Sequence, residues 1–208
     1  GYGHDKIFPQ LALLDPELSF SMPKQVTINT GLDALTHSIE AFLSTESFAM
    51  NDMIALESIR KVIDHLPGAA KNNHTDMEAM AYASMLGGIA ITHGGTILLH
   101  IMGYPLTVYQ EIPHGKANAI LLPSVIDYLR LHSTVKDKIA ILDQMFSAAG
   151  GIKEFVNKLG VSTKLSDYGI QESDFDHYVK KVIVKGDLKI TPAKIEEQDI
   201  YKIYQAAL

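Results

Sequence analysis

Hydrophobic residues recur at intervals of three and four along most of the chain after residue 23, which is the spacing of one face of an α-helix. The first such stretch contains Leu32, Leu35, Ile39 and Phe42. Thr30 precedes it as a candidate N-cap, so a helix is predicted over 30–44. Similar patterns predict helices near 51–65, 75–94, 97–103, 114–131, 136–148, 151–159, 173–183 and 196–207. An all-α domain of eight or nine helices is therefore expected.

Prolines set several of the predicted helix ends. The second helix is expected to stop before Pro67, and Pro105 is expected to end the fourth. Pro123 falls within the fifth helix, where a kink is expected rather than a break.

The start of the chain has a different pattern. An apolar run over 11–14 is closed by Asp15-Pro16, which predicts a short buried strand followed by a turn. A strand needs neighbours for its backbone groups. The run therefore predicts a strand remnant whose sheet lies on the missing N-terminal side.

A stretch without Asp, Glu, Lys or Arg extends over 79–110 and is long enough to be tested as a membrane span. Two Gly-Gly pairs, two histidines and Pro105 interrupt it, so no apolar block of sufficient length remains. We expect a buried pair of core helices and no membrane contact.

Composition excludes several classes of protein. Eighteen basic residues against 24 acidic residues give a formal charge of −6, and no basic cluster is present, so nucleic acid is not expected as a partner. The absence of cysteine excludes disulfides, thiolate metal sites and cysteine nucleophiles. The start of the chain lacks the pattern of a signal peptide, so a cytoplasmic location is expected.

Four residues are candidates for metal binding. Asp33 and His37 are four positions apart on the first predicted helix, so their side chains share one face. By spacing alone, such a pair is more often a surface ion pair than a metal site. His100 and His114 lie at predicted helix ends, where a histidine is also typical of a cap or a core residue.

Three segments carry a family resemblance: GLDALTHSIEAF at 31–42, HIMGYPL at 100–106 and PHGKANA at 113–119. Together with LALLDPEL at 11–18, they closely resemble, in order and in spacing, the iron-containing alcohol dehydrogenase family (group III). The resemblance runs from residue 11 to the last predicted helix.

The resemblance implies the helical C-terminal domain of a two-domain, dehydroquinate synthase-like fold. It implies that Asp33, His37, His100 and His114 hold Fe²⁺ or Zn²⁺. It also implies an N-terminal domain that binds NAD or NADP, and interconversion of a small alcohol with an aldehyde or ketone by hydride transfer.

On this basis residues 1–22 are expected to be a remnant of the nucleotide-binding domain with its linker, and 23–208 the metal-binding domain. The rest of the nucleotide-binding domain is expected to be missing, which would leave this chain inactive alone. The surface exposed by that loss would favour association into a homo-oligomer.

Three positions are left with alternatives. Tyr104 stands where many members of the family have a histidine, and is the candidate catalytic residue, as a proton relay or as a wall of the substrate pocket. A relay would need its pKa to fall from about 10 toward neutrality. His93 either lines the cleft or makes a hydrogen bond in the core. Glu40 either orients a metal ligand or makes an ordinary helix contact.

Two other functions compete with the dehydrogenase. One is a non-catalytic metal-binding helical domain from a truncated or split gene. The other is a metal phosphohydrolase of the HD type, which needs an adjacent His–Asp pair within a helix. The only histidine followed directly by an aspartate in this sequence is His4, in His4-Asp5.

Overall fold

A computed structural model describes residues 7–208, and within that range the chain is helical and contains no strand. Nine α-helices follow in chain order: α1 (Lys24–Leu43), α2 (Ala49–Ala69), α3 (His74–Gly94), α4 (Leu98–Gln110), α5 (His114–His132), α6 (Lys136–Phe146), α7 (Ile152–Lys158), α8 (Phe175–Val182) and α9 (Glu197–Ala206). The all-α prediction is confirmed. The His4-Asp5 pair lies outside the described residues.

Helix α1 is the centre of the fold, and it packs against α2, α3, α4, α5 and α6. The four apolar residues predicted to face the core are buried: Leu32, Leu35, Ile39 and Phe42. The helix begins at Lys24, after Pro23, and so starts six residues earlier than the predicted range of 30–44. Thr30 does not cap it, since its hydroxyl donates a hydrogen bond to the Val26 carbonyl within the helix.

Small buried groups bring α1, α2 and α3 close together. The Ser38 hydroxyl donates to the Ala34 carbonyl and lies 2.7 Å from the Ser58 hydroxyl, which in turn donates to the Ala83 carbonyl. A Cβ at Gly87 would lie 3.0 Å from the Ser38 hydroxyl oxygen. The close contact of the three helices therefore depends on small side chains at their crossing.

Helices α6 to α9 pack around the other side of α5 and against α4. The Tyr204 hydroxyl on α9 donates a hydrogen bond of 2.7 Å to the Met102 carbonyl on α4, and its ring stacks on Phe175 of α8. These later helices match the predicted positions to within two residues at each end.

Two helix ends were predicted wrongly because they were placed at prolines. Helix α2 continues through Pro67 to Ala69, and α4 continues through Pro105 to Gln110. A proline within a helix removes one backbone hydrogen bond and costs about 3 kcal/mol. In α4 Met102, Pro105 and Leu106 are all buried, and burying apolar side chains of this size is worth about 1.5 to 3 kcal/mol each, comparable with that penalty. Helix α5 continues through Pro123, so the prediction that this proline does not break the helix is confirmed.

The predicted strand over 11–14 does not form. The segment has no regular structure, and Leu11, Leu13 and Leu14 are exposed rather than buried. Among residues 7–208 no neighbouring strand is available to pair its backbone. The turn that follows is present over Pro16–Ser19 and is capped by the Asp15 carboxylate.

The charge-free stretch forms α3 and α4. Within residues 7–208 no single helix is both long and apolar enough to cross a bilayer, and the two helices reach that length only together, across a bend of 114°. Helix α4 is largely buried, whereas α3 leaves Tyr82, Met85 and Ile89 exposed. The prediction of two core helices is therefore confirmed for α4. For α3 it is confirmed only on the face that packs against the rest of the domain.

Candidate metal centre

One face of α1 carries the first two candidate ligands. Asp33 and His37 are one turn apart, and His37 Nδ1 lies 3.9 Å from Asp33 Oδ2. Both side chains are about a quarter exposed, at 28% for Asp33 and 25% for His37. The helical spacing therefore does bring the two side chains to one point, as predicted.

Helix α4 supplies the third candidate ligand, His100. His100 is only 2% exposed, its ring stacks on His37 with 4.6 Å between centroids, and its Nε2 lies 3.8 Å from Asp33 Oδ1. That buried Nε2 atom has no hydrogen-bond partner among residues 7–208. Because buried polar atoms are nearly always paired, this nitrogen is available to bind a further group such as a metal ion.

Helix α5 supplies the fourth candidate ligand, His114, which is the first residue of the helix. His114 Nε2 lies 3.8 Å from Asp33 Oδ1, and the ring meets that of His100 edge to face. The next residue is Gly115, where a Cβ would lie 2.0 Å from the Asn29 carbonyl oxygen of α1. A glycine at this position lets the start of α5 contact α1 and so brings His114 to Asp33.

The separations suit a shared ion. Two ligand atoms each about 2.1 Å from one Zn²⁺ or a similar ion are at most about 4.2 Å apart. The three nitrogen–oxygen distances to Asp33, at 3.8 to 3.9 Å, fall below this limit. Potential ligand atoms of Asp33, His37 and His100 all lie within 4.8 Å of one another, and His114 reaches this group through Asp33. One carboxylate with three imidazoles is a donor set that suits Fe²⁺ or Zn²⁺.

Two of the imidazoles are held in the form that binds metals. Burial lowers the pKa of His37, and the neighbouring His100 lowers it further, against the opposing charge of Asp33. Burial also lowers the pKa of His114. Both rings are therefore neutral near pH 7, and a neutral imidazole nitrogen has the free lone pair that coordination needs.

His100 differs from the other two. Burial alone would lower its pKa, but the charge and the hydrogen bond of Glu40, with the charges of Asp33 and Asp187, raise it. The ring is therefore enclosed by carboxylates, with Glu40 at Nδ1 and Asp33 facing Nε2.

Tyr104 lies beside the cluster on α4, one turn after His100. Its ring stacks on His114 with 5.4 Å between centroids, and it is partly exposed. Burial, together with the charges of Asp187, Glu40 and Asp33, raises the pKa of its hydroxyl. This is the opposite of the shift that a relay near neutral pH requires, and both roles of Tyr104 stay predictions.

His93 lies on the exposed side of α3, so the core hydrogen bond is wrong, while a cleft position stays a prediction. Its Nδ1 is 3.0 Å from the Ile89 carbonyl oxygen of the same helix, and its ring meets Phe48 edge to face. It does make a hydrogen bond to the backbone, but at the surface and not in the core.

Two further residues at the cluster had no predicted role. Asn118, fully buried on α5, places its Nδ2 3.4 Å from Asp33 Oδ1 and 3.3 Å from His114 Nε2. Two sequence signals point to Asn118: its position one turn after His114 and its place in the PHGKANA segment that carries the family resemblance. Asp187 acts on His100 and Tyr104 through its charge from a short turn at Gly186–Ile190. No local pattern connects a residue so distant in sequence with the cluster.

Together, the fold and the cluster define a class: an all-helical domain in which three helices bring one carboxylate and three imidazoles to a single point. Residues 27–208 match the model of the Fe-containing alcohol dehydrogenase family, C-terminal. The chain therefore belongs to the Fe-containing alcohol dehydrogenase family.

Individual relatives agree with this assignment. The chain is 33% identical to long-chain-alcohol dehydrogenase 1 of Geobacillus thermodenitrificans, over 98% of this chain and 55% of that protein. It is 31% identical to 1,3-propanediol dehydrogenase of Klebsiella pneumoniae, over 96% of this chain and 55% of that protein. The crystal structure of an iron-containing alcohol dehydrogenase from Thermotoga maritima superposes with a TM-score of 0.88 at 33% identity, over 97% of this chain and 54% of that one. The chain thus spans about half the length of these relatives.

Proposed function

We propose that this chain is the metal-holding part of an NAD- or NADP-linked alcohol dehydrogenase, which interconverts a small alcohol with an aldehyde or ketone by hydride transfer. The observation that carries the proposal is the meeting of Asp33, His37 and His100 within 4.8 Å, with His114 beside them. The names of the two relatives described above, a long-chain-alcohol dehydrogenase and a 1,3-propanediol dehydrogenase, support the reaction class.

Each residue of the cluster has a defined part in the proposal. Asp33 contributes the single negative charge of the four candidate ligands, and the three histidines contribute nitrogen donors from α1, α4 and α5. A bound Fe²⁺ or Zn²⁺ would polarise the oxygen of the alcohol or the carbonyl as a Lewis acid. Burial of His100 keeps water from one side of the cluster, while the partly exposed Asp33, His37 and His114 leave the other side open to a substrate.

The proposal includes a partner domain. Residues 1–22 are assigned to the end of a nucleotide-binding domain and its linker, and 23–208 to the metal-binding domain. The dinucleotide that accepts or donates hydride would bind the other domain, which is consistent with relatives of about twice this length. A cytoplasmic location and association into a homo-oligomer complete the proposal.

Supplying the partner domain tests the reaction. We expect the metal-loaded chain to reduce NAD or NADP with a short primary alcohol only when a nucleotide-binding domain from an iron-containing alcohol dehydrogenase is added. Formation of the reduced nicotinamide is followed by its absorbance. Metal binding without any turnover in the presence of that domain would favour the alternative, a non-catalytic metal-binding helical domain.

Tyr104 is proposed to contact the substrate, and its hydroxyl is the group to test. In the assembled enzyme we expect Tyr104→Phe to lower kcat/KM by about tenfold, the effect of one lost hydrogen bond of about 1.4 kcal/mol. Affinity for Co²⁺ should stay within about twofold, because the phenyl ring can still stack on His114.

The matched control is Tyr109→Phe, which changes an exposed ring on the same helix that packs against His177. If kcat/KM fell no more in Tyr104→Phe than in the control, the Tyr104 hydroxyl would not contact the substrate. A fall of a hundredfold or more would instead indicate general acid–base catalysis.

A further inference from the structure

A buried carboxylate lies directly beneath the cluster. Glu40 is on α1, three residues after His37, and is 1% exposed. We infer that Glu40 is a positioning residue that fixes both the place of His100 and the nitrogen that this ring presents to the cluster. The inference rests on the proposed function, since it assigns a role to a neighbour of the metal-holding side chains.

One oxygen of Glu40 caps helix α4. Oε1 accepts hydrogen bonds from the backbone N–H groups of Ile97, Leu99 and His100 at 2.9, 2.9 and 3.2 Å. The first N–H groups of a helix have no partner within it, and Ile97 at the N-cap has no side-chain acceptor. A residue of α1 therefore supplies the cap of α4 and anchors the backbone of His100 itself.

The preceding turn is shaped to permit this contact. A Cβ at Gly94 would lie 2.7 Å from the Ala41 carbonyl oxygen, and Gly95 has a positive φ of 69°, which residues with a side chain rarely adopt. The two glycines let the chain bend sharply against α1, so that the first turn of α4 points at Glu40.

The other oxygen of Glu40 fixes the tautomer of His100. Oε2 is hydrogen-bonded to His100 Nδ1. An ionised carboxylate can only accept, so Nδ1 must carry a proton, and in the neutral ring the lone pair is then on Nε2. Nε2 is the buried atom that has no partner among residues 7–208 and faces Asp33. Glu40 thus presents the free lone pair of His100 to the cluster.

Glutamine in place of Glu40 should reverse this arrangement. Three N–H donors hold Oε1, so the side-chain oxygen of glutamine would stay there and its NH₂ group would face His100 Nδ1. Nδ1 would then have to accept, and the proton of the neutral ring would move to Nε2. The variant retains the size of the side chain and the cap of α4, but blocks the nitrogen that faces Asp33.

Nitrogen NMR of the histidine rings, recorded on the metal-free 208-residue chain at alkaline pH, tests the tautomer directly. We expect His100 to carry its proton on Nδ1 in the wild type and on Nε2 in Glu40→Gln. Calorimetric titration with Co²⁺ should show an affinity 10- to 100-fold lower for Glu40→Gln, the usual effect of losing a carboxylate that orients a histidine ligand.

Ser38→Ala is the matched control. Ser38 is fully buried two residues before Glu40, and within residues 7–208 its hydroxyl bonds to the Ala34 carbonyl and to Ser58 and not to Glu40 or His100. The variant should melt at a lower temperature while it retains the wild-type tautomer and Co²⁺ affinity.

Two results would overturn the inference: a wild-type His100 with its proton on Nε2, or a Glu40→Gln variant with an unchanged tautomer. The first needs no variant, so it decides the matter even if Glu40→Gln fails to fold. If the tautomer moves as expected but the wild type binds no Co²⁺, the positioning role stands and the proposed metal function fails.

Discussion

Replacing Asp33 with asparagine is expected to weaken the binding of Co²⁺ or Zn²⁺ by at least about a hundredfold. Asp33 is the only candidate ligand that carries a negative charge, and its two oxygens face all three imidazoles at 3.8 to 3.9 Å. Structural Zn²⁺ sites with four ligands have apparent binding free energies of about 12 kcal/mol, so one ligand accounts for about 3 kcal/mol, or a hundredfold in Kd. Competition with a chromogenic chelator measures the change.

Asp64→Asn provides the control for the loss of one charge. Asp64 is half exposed on α2 and pairs with Arg60 at the surface. Such a pair contributes little, so the control should retain the wild-type Kd and nearly the wild-type free energy of unfolding. If both asparagine variants bound Co²⁺ equally well, Asp33 would have no part in a metal site.

Adding a methyl group at Gly115 is expected to destabilise the protein by about 3 kcal/mol, at the upper end of the usual effect of overpacking. The new Cβ would lie 2.0 Å from the Asn29 carbonyl oxygen and 2.8 Å from the Asp33 backbone nitrogen. Backbone atoms cannot rotate aside, so α5 must move away from α1. Since His114 is the adjacent residue, Gly115→Ala should weaken Co²⁺ binding as well.

Gly88→Ala is the matched control for Gly115→Ala, and its effect should have the opposite sign. Gly88 is exposed within α3, and a Cβ there would meet no atom within 4 Å. Alanine is favoured over glycine inside a helix by about 0.5 to 1 kcal/mol, so this variant should be more stable than the wild type. Urea unfolding of both variants measures the difference. Equal effects at the two positions would mean that α5 does not pack against α1 as described.

The helices could be predicted from sequence because their signal is local. Leu32, Leu35 and Ile39 recur at helical spacing, and all three are buried. Helix ends were less predictable. Proline lacks the backbone N–H that a helix interior needs, so Pro105 favours a helix end, yet α4 continues through it among buried neighbours. The predicted strand over 11–14 failed for a related reason, since a strand depends on partners that a local pattern cannot supply.

Some residues of the candidate site could be predicted from local spacing, and others could not. Helical spacing places Asp33 and His37 on one face, and the family resemblance was needed to add His100 and His114 to them. The contact of Glu40 with the first turn of α4 joins residues about 60 positions apart. The sequence alone could suggest that Glu40 orients a ligand, but only the packing of α1 against α4 identifies His100 as the residue it contacts.

The central claim is that Asp33, His37, His100 and His114 hold one divalent ion. Elemental analysis of the purified chain after anaerobic reconstitution with Fe²⁺ tests it most directly, beside an Asp33→Ala, His114→Ala double variant treated in the same way. The account predicts about one equivalent of iron or zinc in the wild type and none in the double variant. No metal in the wild type, or equal metal in both proteins, would contradict it.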